Sequence, residues 1–321
     1  NKIENDLTTI IAWIGYIGLG GVSLLFFMLI CIDCFHLLKT TITTTHKFDP
    51  QRKEFITLGT KGLVGIMGGI GTLWGLYSAL KTPKIIQVKI PIQNIPDSIK
   101  KIRLAQITDL HVSKMITDKY VQRVTNQLQI LNPDILFFTG DAADGSVKSY
   151  GKYMKSLGDI KPKYGKYFVT GNHEYYSDLN GWLRLIEKLG FKILVNESQI
   201  ININGYKIMI TGIPDRSGKY FSNFHKTDMN KALKGMPKPD LKILLAHRPK
   251  DIEYSLKYNY DIQLSGHTHG GQYFPFSILV QLAHPFIKGL HKRKNTWVYI
   301  NQGTGYWGPP MRIGTEPEIT E

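Results

Sequence analysis

The sequence predicts an α/β domain carried behind two transmembrane helices. Three observations predict it. Two long apolar runs free of charge lie within the first 80 residues. Beyond Pro83 the pattern changes to short β-rich runs alternating with helical segments, the signature of an α/β domain. Several of those β-rich runs end in Asp, Asn or His beside Gly, where an α/β sheet presents its ligands. The expected division is a membrane anchor over residues 1–84 and a water-facing domain over 85–321.

In the first run no charged side chain occurs from Leu7 to Ile32, and Ile10–Ile32 is almost wholly apolar, with Trp13 and Tyr16 near one end. A helix over about residues 9–32 matches the roughly 20 residues needed to cross a bilayer. The second run, Gly62–Leu80, is bracketed by Lys61 and Lys81 and carries Trp74 and Tyr77. Its pairs Gly65/Gly69 and Gly71/Gly75 have the spacing that lets membrane helices approach closely, whereas so many glycines suit an isolated water-soluble helix poorly. Two buried core helices are the bland alternative. A signal peptide fits badly, since no basic segment precedes the first run and a second run follows. The chain opens on Asn, so the expectation is that it starts downstream of its gene start and that further spans precede it. Orientation stays open: Lys39, Lys47, Arg52, Lys53 and Lys61 favour a cytoplasmic loop between the spans, but Lys2, Lys81, Lys84, Lys89 and Lys100 crowd the other side.

Strands are expected at Ile85–Ile90, Ile102–Ile107, Ile135–Phe138, Lys166–Val169, Lys207–Ile210, Lys242–Leu245, Asp261–Leu264 and Thr296–Ile300. Helices are expected at Asp118–Leu131 and at Leu179–Leu189, the second capped by Asp178. Composition sets the outer limits. With 20% charged and 11% aromatic residues the chain is neither disordered nor a low-complexity array. Two cysteines exclude a disulfide scaffold and a cysteine-rich zinc fold. The mean hydropathy of -0.15 averages an apolar anchor with a polar domain. The net charge of +15 divides into +2 on residues 1–81 and +13 on the remainder, so the water-facing part seeks an anionic partner.

Five strand-to-loop junctions carry the chemistry: Asp109-Leu-His111, Gly140-Asp141-Ala-Ala-Asp144, Gly171-Asn172-His173-Glu174, His247, and Gly266-His267-Thr-His269. Two aspartates, an asparagine oxygen and four histidines form a mixed N/O donor set without thiolates. That set suits Mn²⁺, Fe or Zn²⁺ better than Mg²⁺ or Ca²⁺, which prefer all-oxygen shells. The donors are too many for one ion and about right for two sharing a carboxylate. A metal pair about 4 Å apart acidifies water and clamps phosphoryl oxygens during in-line displacement.

In their order these blocks resemble the calcineurin-like metallophosphoesterases, over essentially all of Ile85–Glu321. The resemblance implies a four-layer α/β/β/α sandwich. It implies that Asp109, His111 and His269 hold one metal, that Asn172, His247 and His267 hold the other, and that Asp141 bridges. It makes His173 the residue that contacts phosphate and protonates the leaving group, with Asp144 and Glu174 orienting ligands or His173. The segments Ala246-His-Arg-Pro249, Gly266–Gln272 and Gly303–Arg312 look like the membrane-attached YkuE/YaeI-like branch, which includes UDP-2,3-diacylglucosamine pyrophosphatases. Ala142-Ala143 departs from the bulkier apolar pair that this branch often carries.

Outside those blocks, His36, His46, His225, His284 and His291 are read as structural. Arg248 is a candidate phosphate contact, and Asp215 faces substrate or ends a turn. Cys31 and Cys34 lack a second pair for a zinc site and read as buried or lipidated thiols. The charge-free stretch Gly270–Ile287 dips into lipid, lines a pocket beside the cleft, or packs as a core helix. The basic cluster Lys288, His291, Lys292, Arg293 and Lys294 faces anionic headgroups or simply water. Tyr175, Tyr176 and Trp307 are stacking partners for a base or packing residues. The expected function is a membrane-tethered hydrolase with two divalent ions, acting on a phosphate ester or pyrophosphate of a lipid or nucleotide-linked lipid. The resemblance places it in a multi-pass protein of a bacterial cytoplasmic membrane. A phosphodiesterase for soluble nucleotides or nucleic acid is the first alternative, and a catalytically silent membrane adaptor the second.

Overall fold

The computed structural model describes residues 2–42, 50–93, 95–97, 99 and 102–321; His46, Lys47 and Lys100 lie outside them. Helix α1 (Lys2–Ile42) and helix α2 (Pro50–Leu80) run well past the expected spans 9–32 and 62–80. Neither the lone charge at Asp33 nor the polar residues before Gly62 break an apolar helix, so both continue. Their segments Asp6–Leu38 and Glu54–Leu80 are long and apolar enough to cross a membrane. Of the two expected glycine pairs only Gly71 lies at the contact between the helices, joined there by Gly68, while Gly75 faces Met311 instead. A Cβ on Gly68 would meet Leu25 Cδ2 at 2.2 Å and one on Gly71 would meet Leu24 Cδ2 at 2.8 Å, whereas Gly65 and Gly69 face open space.

After α2 the chain builds two six-stranded sheets. The first, in order β1-β12-β2-β3-β4-β5, uses β1 (Lys84–Ile86), β2 (Leu104–Ile107), β3 (Ile135–Phe138), β4 (Lys166–Phe168), β5 (Phe191–Ile193) and β12 (Glu318–Thr320). The second, in order β10-β11-β9-β8-β7-β6, uses β6 (Glu197–Ile203), β7 (Tyr206–Gly212), β8 (Leu241–Leu245), β9 (Ile262–Ser265), β10 (Gly289–Arg293) and β11 (Thr296–Ile300). Pairings are parallel except β12 with β2, β6 with β7, and β10 with β11.

Alternation along the central strands places the layers. Ile135 and Phe137 of β3 join Ile243 and Leu245 of β8 in the core between the sheets. Leu136 and Phe138 face the other way, against α3 (Asp118–Leu131) and α6 (Leu179–Lys188). Leu244 turns outward to Met229 of α7 (Met229–Leu233) and to Tyr260, which follows α8 (Ile252–Lys257). Helices therefore cover both outer faces, giving the α/β/β/α order. Helix α3 buries Val121, Val124, Leu128 and Leu131, one stripe at helical spacing, and ends on Asn132 in the left-handed region (φ 47°). Each of the eight expected strands is present in whole or part. The first is shorter than expected, since only Lys84–Ile86 pairs, with β12.

The two spans are packed against this sandwich. Ala79 belongs to the core beside α3, and Arg123 donates to the Leu80 carbonyl at 2.9 Å. Met311 is fully buried against Gly20 of α1 and Gly75 of α2, and the Arg312 amide donates to the Gly75 carbonyl at 2.9 Å.

Candidate metal centre

The C-terminal ends of β2, β3, β4, β8 and β9 deliver the expected residues to one place. Short helix α4 (Val147–Tyr150) follows the β3 loop, and α5 (Asn172–Tyr176) begins at Asn172 itself. Parallel strands from two facing sheets end side by side here, so groups far apart in sequence become neighbours. The backbone is strained to bring them in: Asp109, His111, Asp141, His267 and His269 all adopt φ between 50° and 71°, a region that L residues rarely occupy. Two glycines let the loops close. A Cβ on Gly171 would lie 2.1 Å from Asp141 Oδ1, and one on Gly266 would lie 2.2 Å from Asp109 Oδ2.

Asp109, His111 and His269 bring donor atoms within 4.8 Å of one another, as do Asp141, His247 and His267. His111, Asp141 and His173 form a third such group, which adds a residue expected to be a proton donor. His111 Nε2 lies 3.2 Å from His269 Nε2, and His247 Nε2 lies 3.2 Å from His267 Nδ1. Two of these rings are oriented by acceptors behind them. His111 Nδ1 donates to Asp144 Oδ1 at 3.0 Å and His247 Nδ1 donates to the Thr139 carbonyl at 2.7 Å, so in each the other nitrogen faces the site. The carboxylates are held as firmly. Thr108 Oγ1 and the His267 amide donate to Asp109, and the His173 amide donates to Asp141 Oδ1 at 2.8 Å.

The cluster attracts positive charge. Burial opposes the charged form of His111, but Asp144, Asp141 and Asp109 outweigh it and push the imidazole up to about 9. His247 is likewise raised to about 10, Asp141 overcoming its burial. Burial and the cationic His247 and His111 beside them lower His267 and His269, which keeps those two rings neutral with lone pairs available. Burial raises Asp109, whereas Asp141 is held well below the carboxylate range because His247 outweighs its burial. Asn172 Oδ1 is buried without a hydrogen-bond partner among the described residues. An acceptor left bare in a cleft of imidazoles and carboxylates fits a cation, and the N/O donors fit divalent metal ions.

Around this set, Asp144 also accepts from His173 Nδ1 at 2.6 Å, and burial of Asp144 is outweighed by His111 and His173, which hold its carboxyl well below the usual range. Glu174 receives the amides of Gly171, Ala142 and Asp141 at 2.6, 2.7 and 3.1 Å. Burial and the Asp141 carboxylate push it up to about 7 against the Ala142 and Gly171 amides and His247. Arg248 makes a bidentate pair with buried Asp215 (2.6 and 3.2 Å) and a contact to Ser217, and is absent from the walls of the cavity over the site.

The profile of the calcineurin-like phosphoesterases matches residues 102–271, the segment that contributes all of these residues. The chain belongs to that family. Its members are hydrolases of phosphoester bonds that use divalent metal ions, and the Asp/His clusters are where this phosphoesterase would carry them. One relative matches over nearly the whole chain. A transmembrane protein with a metallophosphoesterase domain from Danio rerio is 34% identical over 313 residues, 94% of this chain and 71% of that protein. Its namesake from Bos taurus is 33% identical over 258 residues, 77% of this chain and 58% of that protein. An uncharacterized metallophosphoesterase of Helicobacter pylori is 34% identical over 278 residues, 85% of this chain and 71% of that protein.

Several readings change at this site. His284 was expected to be structural, yet its ring centroid is 5.3 Å from that of His267 and it lines the cavity. The signal lay in the spacing Phe276, Val280, His284, which puts all three on one face of α9 (Phe276–Ala283) and its C-cap. That helix buries none of its residues, so the core-helix reading of Gly270–Ile287 fails; Phe276 and Val280 line the pocket, while Ile278, Leu279 and Leu282 are exposed and leave the lipid-dipping reading open. Tyr175 is a packing residue bonded to Thr170 and His225, while Tyr176 and Trp307 are exposed and flank the His173 ring at 5.6 and 5.7 Å. Asp215 is buried and caps a short turn besides holding Arg248. His291 bonds the Lys288 carbonyl, and His36 is exposed on α1. Cys31 and Cys34 are free and exposed on α1, correcting the expectation that they are buried.

Proposed function

We propose that this phosphoesterase is a membrane-tethered enzyme with two divalent ions, residues 1–84 forming the anchor and 85–321 the catalytic domain. Asp109, His111 and His269 would hold one ion and Asn172, His247 and His267 the other, with Asp141, which is within reach of both groups, shared between them. When bound, such a pair polarises phosphoryl oxygens and lowers the pKa of water. Mn²⁺ is the first choice, with Fe and Zn²⁺ the other candidates for this donor set. His173, whose Nδ1 is held by Asp144, supplies a proton to the leaving-group oxygen. Glu174 draws the amides of Gly171, Ala142 and Asp141 together and so fixes the loops carrying Asn172 and Asp141.

The observation that carries this reading is the bare Asn172 oxygen beside imidazole nitrogens that face one another in two groups, each with an aspartate. The substrate we assign is a phosphate ester or pyrophosphate of a lipid or nucleotide-linked lipid, such as UDP-diacylglucosamine. Supporting it are two helices long and apolar enough to span a bilayer, packed directly on the domain that holds the site. The YkuE/YaeI-like segments and a multi-pass location in a bacterial cytoplasmic membrane go with that assignment. A second reading, a phosphodiesterase for soluble nucleotides, rests on Tyr176 and Trp307, exposed on either side of His173 where a base could stack. A silent adaptor has no support in the residues, since every donor is present.

The test is hydrolysis by purified protein of a phosphomonoester, a phosphodiester and UDP-diacylglucosamine, each with Mn²⁺. Asp141→Ala is expected to abolish turnover of whichever is cleaved. Retained turnover in that variant removes the two-ion reading, and equal rates on free nucleotides favour the second substrate.

A further inference from the structure

The cavity over the site measures about 1070 Å³, more than a phosphate group needs, and its walls differ in kind. One end is the polar cluster of Asp141, Asn172, His173, His267 and His269. Besides loop residues such as Met115, Tyr306 and Pro309, the rest of the wall takes in α1 and α9, and both contribute at helical spacing. Ala12, Tyr16, Leu19 and Ser23 lie at intervals of four, three and four along α1, one face of that helix, and Phe276 and Val280 lie four apart on α9. The segment leading into α9 is tied to α1, where Ser23 Oγ is 3.2 Å from Tyr273 Oη and the Phe27 and Phe274 rings meet edge to face. Toward the N-terminal end of α1, Lys114, three residues beyond His111, donates to Thr8 Oγ1 at 2.8 Å. From Ala12 to Ser23 the lined stretch of α1 is about 16 Å long at the helical rise.

We propose that α1 is part of the substrate site, and that the aisle between α1 and α9 takes the apolar chain of a phosphorylated amphiphile whose phosphate sits on the metal cluster. The inference rests on the phosphoesterase reading above and adds where the apolar part of the substrate lies. The occupant follows from continuity. At one end the aisle meets a site that takes phosphate. On its wall the same two helices present Leu19 and Phe276, apolar side chains that are also exposed, and α1 exposes further apolar side chains at Ile11, Ile14 and Val22. A soluble nucleotide matches the polar end and the Tyr176 and Trp307 rings beside it, and leaves the aisle unfilled. A molecule with phosphate at one end and a hydrocarbon chain at the other matches both, and it reaches the site along α1 without leaving an apolar environment.

The probes are alkyl phosphates of eight and twelve carbons, used below their micellar concentrations on the full chain in nanodiscs with Mn²⁺. Their inhibition of p-nitrophenyl phosphate turnover is read beside the shift each gives in melting temperature. The wild type is expected to bind the longer chain at least about tenfold more tightly, as four added methylenes entering an apolar wall require. Leu19→Trp and Val280→Trp, which fill the aisle from opposite sides, are expected to reduce that preference to about twofold or less. Val22→Trp, on an exposed part of α1 outside the aisle, keeps it. A wild type indifferent to chain length overturns the proposal, and so does a preference that survives both aisle variants. Absence of hydrolysis with the melting-temperature gradient intact overturns the phosphoesterase reading and leaves the aisle standing. Hydrolysis with a flat gradient does the reverse.

Discussion

Asp144 accepts from two imidazoles at once, His111 at 3.0 Å and His173 at 2.6 Å, so one carboxylate orients both a metal-facing ring and the proton donor. Both rings donate to the same oxygen, Oδ1, so Asp144→Asn keeps an acceptor there but removes the negative charge that holds the two imidazoles. Turnover is expected to fall about 100-fold while the protein melts within a few degrees of wild type, checked by steady-state kinetics and thermal unfolding. Protons and metal compete for the same nitrogens, which gives a signed pH dependence. In chelated protein His111 and His247 are raised to about 9 and about 10 from an unfolded value near 6.5. Their contribution to stability is full below about pH 6.5 and is lost as pH rises through 9 to 10. The melting temperature of the metal-free protein should therefore fall across that window, while apparent metal affinity rises over the same range as the competing protons leave. Calorimetry with and without chelator checks both slopes. Most donors were legible because each sits beside a strand end in a short Gly-bracketed block. His284 was not, because its partner His267 comes close only through the path of α9, which periodicity places but does not dock.

Helix α6 shows what an element away from the metal cluster does for it. Asp178 caps it by accepting from the Gly181 amide at 3.1 Å and also receives the Val147 amide at 3.2 Å, which joins α6 to α4. Trp182, fully buried in α6, donates to the Gly145 carbonyl at 2.7 Å, one residue beyond Asp144. Asp178→Ala removes an N-cap and a second acceptor. It is expected to cost about 1 kcal/mol, read as a lower denaturation midpoint, with Mn²⁺-dependent turnover changed less than threefold. The cap, the helix and the central strands were readable because each carries its own local signal: a capping carboxylate, an apolar stripe, a β-branched or aromatic run. The strands that escaped carry little of it. Among them, β5 and β12 have three residues each, β10 pairs only at a sheet edge and bears His291, Lys292 and Arg293, and β6 is an edge strand interrupted by polar residues. Such segments become strands because a neighbour supplies the hydrogen bonds, which is information held elsewhere in the chain.

At the scale of the whole molecule, the spans and the sandwich are mechanically joined, and the join leads to the metal cluster. Gly75 of α2 accepts the Arg312 amide, and a Cβ there would meet Met311 Cε at 3.2 Å and Ile313 Cγ1 at 3.3 Å. The Arg312 side chain is itself completely buried and donates to the carbonyls of Gln302, Gly303 and Gly305, with His269 O at 3.3 Å. A displaced Gly75 therefore moves the residue that holds the His269 loop. The runs and their small-residue spacing showed in the sequence, but not which glycines meet what: Gly65 faces open space, whereas Gly75 abuts the tail segment Met311–Ile313. The contrast makes a paired prediction. Gly75→Leu is expected to lower turnover of p-nitrophenyl phosphate at least about tenfold, because misplacing a ligand by a fraction of an ångström is costly to in-line chemistry. Gly65→Leu, on the same helix and equally enlarged, is expected to change it less than twofold. Because the readout is a substrate without an apolar chain, it reports on the cluster and not on the aisle beside α1. Equal effects of the two variants would mean that α2 acts on the enzyme only as an anchor, and unequal effects in the stated direction mean that the span sets the geometry of the metal site.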